Sequence, residues 1–394
     1  MTNKNKNNWL MNLINDKTFQ KVILLLVVSR IIIFGASAIG TYYFPNSESD
    51  YVVDNKFLNG LVQYDGRAYL DIAMNGYNNT FNGSGNTAWF PLYPLLTHYL
   101  GLLLGGSILA YVLAGIILSN IFLILGITFL YQLIKYEFEK DVAFKTSFYI
   151  LLFPTSYFFS VMYAESLFFF LTVAAFYFAS KRNWFLVGFF GFFASLTRTF
   201  GIILFIPFIY IYLKDRKFKI KKINYSILHL MLIPVGLSVY LIFLWFKFGN
   251  PLFFISSHAM YGKHFANPLL TLLNASTDYL KYIMDLDFPN IGYYTLNLTA
   301  IIAMLLIGWY FYKKHKNEYS IYIFLSLVLN MLSGTIQATT KHFLVLFPCF
   351  IYIALLDKKY IRYLKAIYAA FFILLILFTI RHTNKIFDIW GLRF

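Results

Sequence analysis

The chain has 394 residues, of which 59% are hydrophobic and 21% aromatic, while only 13% are charged. With a mean hydropathy of +0.64, this is more apolar surface than a soluble domain of that length buries, so a water-soluble globular enzyme is excluded and an integral membrane protein implied. A net charge of +16 becomes a question of where basic loops lie relative to a bilayer, and one cysteine, Cys349, excludes a disulfide framework, a Cys-rich zinc site and an iron–sulfur cluster.

A helix crosses a bilayer with about 20 apolar residues. In chain order, apolar runs at 19–42, 107–134, 146–162, 164–180, 184–197, 200–213, 226–248, 293–312, 319–338, 342–356 and 361–380 predict about eleven spans in one all-α polytopic domain over 1–394. The first run is too long for a signal-peptide core and is followed by no small-residue cleavage pattern, so it reads as a span. The run 89–104 is shorter, carries Pro91 and Pro94 and directly follows a polar loop. It reads as re-entrant or interfacial. With the N-terminus inside and that segment not crossing, 22 of the 33 Lys and Arg fall in inside loops, the most basic being 214–222. The positive-inside rule supports this arrangement, a multi-pass cell-membrane protein with a cytoplasmic N-terminus. Its basic charge then serves topology and contact with anionic membrane lipids, and no nucleic-acid partner is expected. Two outside segments, 43–106 and 249–292, are too long for simple turns, and such connections are usually functional.

The first of them holds the least apolar stretch, "YDGRAYLDIAMNGY", with Asp65, Arg67 and Asp71 close together. The spacing of Ala68, Tyr69, Ile72 and Ala73 predicts a short interfacial helix, with Asp65 as N-cap and Gly76 as terminator. On composition alone a cap is a sufficient role for Asp65, and Arg67 and Asp71 read as solvated charges. Trp89, Phe90 and Tyr93, beside two prolines, read either as the wall of a binding subsite or as an aromatic belt. Glu165, in "MYAES", reads as an ion-pair partner of Arg198 or Lys341, or as a group that binds a ligand. Arg198, in "ASLTRTFG", interrupts an apolar run; a central Arg costs about 2.5–3.5 kcal/mol on insertion scales, so it faces a cavity or partner, or else snorkels to the headgroups. His258, Lys263 and His264 come from the second long loop, and Lys341 and His342 open the tenth span. They form a cationic pocket or an interfacial cluster, and their spacing does not argue for a metal.

Three blocks, "YDGRAYLDIAMNGY", "AWFPLYPLL" and "FPTSYFFSVMYAESLFFFLTVAAFYFASKRNWFLVGFFGFFASLTRTFGIIL", resemble in sequence and order the PIG-V family and its prokaryotic relatives, which are mannosyltransferase-like enzymes of the GT-C membrane glycosyltransferase class. The likeness continues more weakly through "GNPLFFISSHAMYGKHFANPL" and "KHFLVLFPCF" to about residue 356. The resemblance implies a GT-C fold, a polyprenyl-phosphate-linked sugar donor and a catalytic acidic residue in the first extracytoplasmic loop, matched by Asp65. Tyr64 stands where family members usually have Trp, which keeps a ring for sugar stacking. Lys341 and His342 stand where the family often has a Pro-Arg pair, which keeps charge but loses the bidentate fork of Arg.

The function expected on this basis is transfer of a hexose, mannose by resemblance, from that donor to a hydroxyl of a lipid or glycan acceptor, with inversion, at the extracytoplasmic face. Asp65 is the expected base, and Arg198, Lys341 and His342 the expected donor-phosphate ligands. Tyr64, Arg67, Trp89, Tyr93, Glu165, His258 and Lys263 are the expected substrate contacts. A sugar monophosphate donor carries less charge than a nucleotide sugar, so no cofactor is required and the use of a divalent cation is left open. Two competing readings stand beside it: another sugar, or a protein or lipid A acceptor, on the same scaffold, and a lipid-linked saccharide flippase, which the lack of an inverted repeat argues against.

Overall fold

The computed structural model describes residues 9–44, 52–79, 85–259 and 262–384; the N-terminal tail and part of the Asn-rich loop lie outside them. All regular elements among the described residues are helices. In chain order they are α1 (Trp9–Ile14), α2 (Lys17–Tyr43), α3 (Lys56–Gly60), α4 (Asp65–Asn75), α5 (Leu92–Leu103), α6 (Ile108–Glu137), α7 (Lys140–Leu152), α8 (Glu165–Ser180) and α9 (Trp184–Thr197). There follow α10 (Phe205–Asp215), α11 (Leu232–Phe248), α12 (Phe253–Ala259), α13 (Pro268–Met284), α14 (Phe288–Lys313), α15 (Asn317–Met331), α16 (Thr339–Val345) and α17 (Phe347–Asn384), with short 3-10 turns between some of them.

The long helices sort their side chains between protein and lipid. In α2, Val22, Leu26, Ser29, Ile33 and Ala36 are buried at helical spacing, whereas Leu24, Val27 and Ile31 on the other side are exposed. Outward apolar faces on helices long enough to cross a bilayer match a lipid solvent, and the chain is a multi-pass membrane protein. Inside, α6 packs on α8, α8 on α9, α9 on α11, and α17 on α2 and α7.

The span count differs from the sequence expectation of about eleven. Among the described residues, five helical stretches are long and apolar enough to cross a membrane, and a sixth is the pair α16 and the first arm of α17, bent by 76° between them. α8 and α9, with 16 and 14 residues, are apolar but short, and α15 ends at Met331 instead of near 338. α5, at 12 residues, is about 18 Å long, less than the ~30 Å hydrocarbon core.

The largest departure is the expected span 146–162, where α7 stops at Leu152 ahead of Pro154 and the chain runs irregularly to Ala164 apart from one 3-10 turn. Such a run in apolar surroundings must find hydrogen-bond partners elsewhere. Arg30, buried in α2, supplies them: its guanidinium donates to the carbonyls of Leu151 (3.2 Å) and Ser156 (3.1 Å) and to the hydroxyls of Ser156 (2.9 Å) and Ser160 (3.0 Å). Arg30→Met is therefore expected to lower stability by at least about 2 kcal/mol, since an orphaned buried acceptor costs about 1–3 kcal/mol. An unchanged thermal midpoint in detergent would show that Arg30 does not hold this segment.

α17 is helical from Phe347 to Asn384, yet its two arms lie side by side. Phe350 and Phe371 both pack on the Phe153 ring, at 5.1 and 5.4 Å; in a straight helix residues 21 positions apart would be about 30 Å apart. The reversal agrees with two sequence-predicted spans at 342–356 and 361–380, and it returns Arg381 and His382 to the membrane face where α8 begins and α9 ends. The opposite face carries the ion pairs Lys135–Asp16, Lys316–Glu137, Lys214–Glu318 and Lys145–Asp357, and with them the described parts of the basic loops.

Candidate active site

The "YDGR" stretch departs from the capping expectation. The N-cap of α4 is Tyr64, with φ 53° and ψ −119° and no side-chain cap bond, and Asp65 is the first helical residue. Positive φ in an aromatic residue is strained and persists only where surroundings enforce it. Here Tyr163 does so: its hydroxyl accepts the Asp65 N–H at 3.2 Å and donates to the Gln63 carbonyl at 3.1 Å. The Asp65 carboxylate is thereby turned away from its own helix into a cavity of about 920 Å³. Gly76 ends α4 with φ 76°, the left-handed region glycine tolerates. Asp71 is not at the cavity; it accepts from Asn75 (2.9 Å), Asn78 (3.1 Å) and Asn86 (2.7 Å) and so ties down the Asn-rich loop.

Four charges from distant parts of the chain meet at the cavity. Lys341, on α16 and only 7% exposed, pairs through Nζ with Asp65 and, at 3.1 Å, with Glu165 Oε1. The same Glu165 oxygen pairs with Arg198 at the end of α9. Glu165 Oε2 is buried with no protein partner. The Lys341 ammonium also lies over the rings of Tyr163 (4.6 Å) and Phe158 (5.1 Å), a favourable cation–π placement. Burial alone would raise the Asp65 pKa; the charge and hydrogen bond of Lys341, then Lys263 and Arg198, outweigh it and hold the carboxyl at about 2. Asp65 is thus ionised throughout the neutral range. Burial lowers Lys263, and burial with Lys263 lowers His258 to about 3.

Of the sequence-predicted site residues, Asp65, Arg198, Lys341, His342, Tyr64, Arg67, Trp89, Glu165, His258 and Lys263 line this one cavity. His342 packs edge-on against Phe200 at 4.3 Å, and Arg67 reaches Gln63 Oε1 at 3.2 Å. Tyr93 is placed elsewhere: fully buried, it bonds Gly115 O and Ser119 Oγ, both at 2.8 Å, between α5 and α6. Sequence reasoning missed Arg381 and His382, which line the cavity from the last arm of α17; the signal available was an Arg-His pair closing an apolar run. The lining holds five cations (Arg67, Arg198, Lys263, Lys341, Arg381) against two carboxylates, Asp65 and Glu165. An excess of positive charge in a concave, low-dielectric site favours an anionic ligand. Among the described residues no group of three or more His, Cys, Asp or Glu is placed to hold a metal ion.

The site of this multi-pass helical membrane protein is thus an ionised carboxylate held among surplus cations in one cavity. The chain belongs to the mannosyltransferase (PIG-V) family, whose model matches residues 12–255. Its described residues form an all-α, polytopic membrane fold. Among solved structures it is similar to the Archaeoglobus fulgidus oligosaccharyltransferase. The apo form gives a TM-score of 0.44 and 14% identity, covering 98% of this chain and 57% of that one. The form tethered with an acceptor peptide containing the NVT sequon gives 0.42 and 12%, covering 94% and 55%, and the complex with an inhibitory peptide and a dolichol-phosphate 0.39 and 13%, covering 95% and 56%. The chain thus spans little more than half the length of that protein. No curated protein matches the sequence. Lys263, Lys341, His342, Arg381 and His382 lie beyond the stretch matched by the family model.

Proposed function

We propose that the protein transfers a hexose, mannose by family, from a polyprenyl-phosphate-linked donor to a hydroxyl of a lipid or glycan acceptor, with inversion, at the extracytoplasmic face. The observation that carries this reading is the quartet Asp65, Lys341, Glu165 and Arg198 in a cavity with more cations than carboxylates. Asp65 takes the proton of the acceptor hydroxyl as its oxygen attacks the anomeric carbon; the bond from that carbon to the phosphate oxygen breaks, and the electron pair leaves with the lipid phosphate. Arg198 and Lys341, with His342 beside them, hold that phosphate as its charge develops. These cations can neutralise a monophosphate. The orientation is supported by the basic loops 135–145, 181–183, 214–222 and 313–318, which belong to the face opposite the cavity.

Purified protein in vesicles, given polyprenyl-phosphate-mannose and a membrane lipid extract, is expected to release polyprenyl phosphate together with a product one hexose heavier, both read by mass spectrometry. Donor carried across the vesicle without cleavage would replace this reading with that of a flippase.

A further inference from the structure

His382, 4% exposed, lines the cavity with a ring Nε2 that has no hydrogen-bond partner. A buried polar atom of that kind is unfavourable unless a ligand completes it. Its ring sits among those of Tyr157 (5.0 Å), Tyr64 (5.4 Å), Phe158 (5.6 Å) and Tyr163 (5.6 Å). This end of the cavity is aromatic with Arg381 beside it, whereas Arg198 and His342 belong to the Glu165 and Phe200 end, with Asp65 and Lys341 between.

Two further observations make it a built site. Tyr64, adjacent to Asp65, keeps 46% of its surface exposed while its backbone is strained, so the fold holds an aromatic face open beside the carboxylate instead of packing it away. The α17 terminus is fixed by close packing: a Cβ on Gly40 would meet Thr383 Oγ1 at 2.2 Å and the Ile380 carbonyl at 2.7 Å, and one on Gly60 would lie 3.2 Å from Thr383 Cβ. Thr383 thus sits in a socket of two glycines, which sets the position of its neighbour His382.

We propose that Tyr64 and His382 form the sugar-reading wall of the site: the exposed Tyr64 face stacks on the hexose ring of the donor, and His382 Nε2 hydrogen-bonds one of its hydroxyls. This rests on the donor reading above. If Arg198 and Lys341 hold the phosphate and Asp65 serves the attacking hydroxyl, the anomeric carbon lies beside Asp65, and the rest of the ring falls against the residue next to it in the chain. Apolar rings with one buried hydrogen-bonding group are the chemistry that recognises a sugar face and a defined hydroxyl.

The test measures binding of polyprenyl phosphate and of polyprenyl-phosphate-mannose to the purified parent protein, His382→Phe and Tyr64→Leu, each checked for monodisperse elution. Phe preserves the ring packing and removes only the nitrogens. The bare lipid phosphate is expected to bind all three proteins within about twofold, and the mannose-bearing lipid to lose about tenfold in affinity in each variant, the size of one lost hydrogen bond or stacking contact. Unchanged affinity of His382→Phe and Tyr64→Leu for the mannose-bearing lipid overturns the assignment. If neither lipid binds the parent protein, the donor reading itself falls, and this inference with it.

Discussion

Asp65→Asn is expected to reduce sugar transfer by about 10²–10⁴-fold, the range a positioned general base contributes, without loss of affinity for the lipid phosphate. The second half of that expectation comes from the ion pair. In the free protein Lys341 is shared between Asp65 and Glu165, and the Asp65 carboxyl, at a pKa of about 2, is a weak base while it keeps that partner. A donor phosphate competes for Lys341, and each step of that ammonium away from Asp65 raises the proton affinity of the carboxylate. Substrate binding and activation of the base are then one event. Asn cannot take the proton, yet it leaves Lys341 free for the phosphate, so polyprenyl phosphate should bind the variant as tightly as the parent protein or more so. Transfer within a few fold of the parent, with the fold intact, would remove Asp65 from the chemistry.

Arg198→Met is expected to lower turnover by about 10²–10³-fold, the cost of deleting one preorganised group that stabilises developing charge. Because it also leaves Glu165 with Lys341 as its one remaining ionic partner among the described residues, the single variant confounds catalysis with an under-neutralised buried carboxylate. The double variant Arg198→Met/Glu165→Gln separates them. If Arg198 serves only to neutralise Glu165, removing both restores turnover. If it holds the leaving phosphate, the double variant recovers thermal stability while turnover stays low, which is the expected result.

The candidate site was legible in the sequence where a charge interrupted apolar context. Asp65, Glu165, Arg198 and Lys341 each stood out for that reason, and the fold brings all four together although 276 positions separate the first from the last. Arg381 and His382 were not, because a charged pair at the end of an apolar run also reads as an interface anchor; only the return of the α17 arm shows that it reaches the cavity. Tyr93 failed in the opposite way, since an aromatic next to a polar loop has the same composition whether its ring faces a substrate or, as here, packs between α5 and α6.

The expected span 146–162 is interrupted for a related reason. Hydropathy measures composition over a window and does not register that Pro154 and the serines of 156–160 make a non-helical run tolerable once Arg30 supplies its hydrogen bonds. The Asp65 cap was predicted from residue type, and the strained Tyr64, held by the Tyr163 hydroxyl 98 positions from Asp65, reassigned that carboxylate from backbone to cavity. In each case the missing information was long-range pairing, which local periodicity does not carry.

The proposed chemistry requires one cavity to hold a lipid-linked phosphate on Arg198 and Lys341 with Asp65 beside it. A structure of the protein with polyprenyl phosphate bound tests it most directly. The phosphate is expected within hydrogen-bond distance of both cations, with Lys341 drawn away from Asp65; a phosphate bound elsewhere, with the Lys341–Asp65 pair intact, would overturn the assignment.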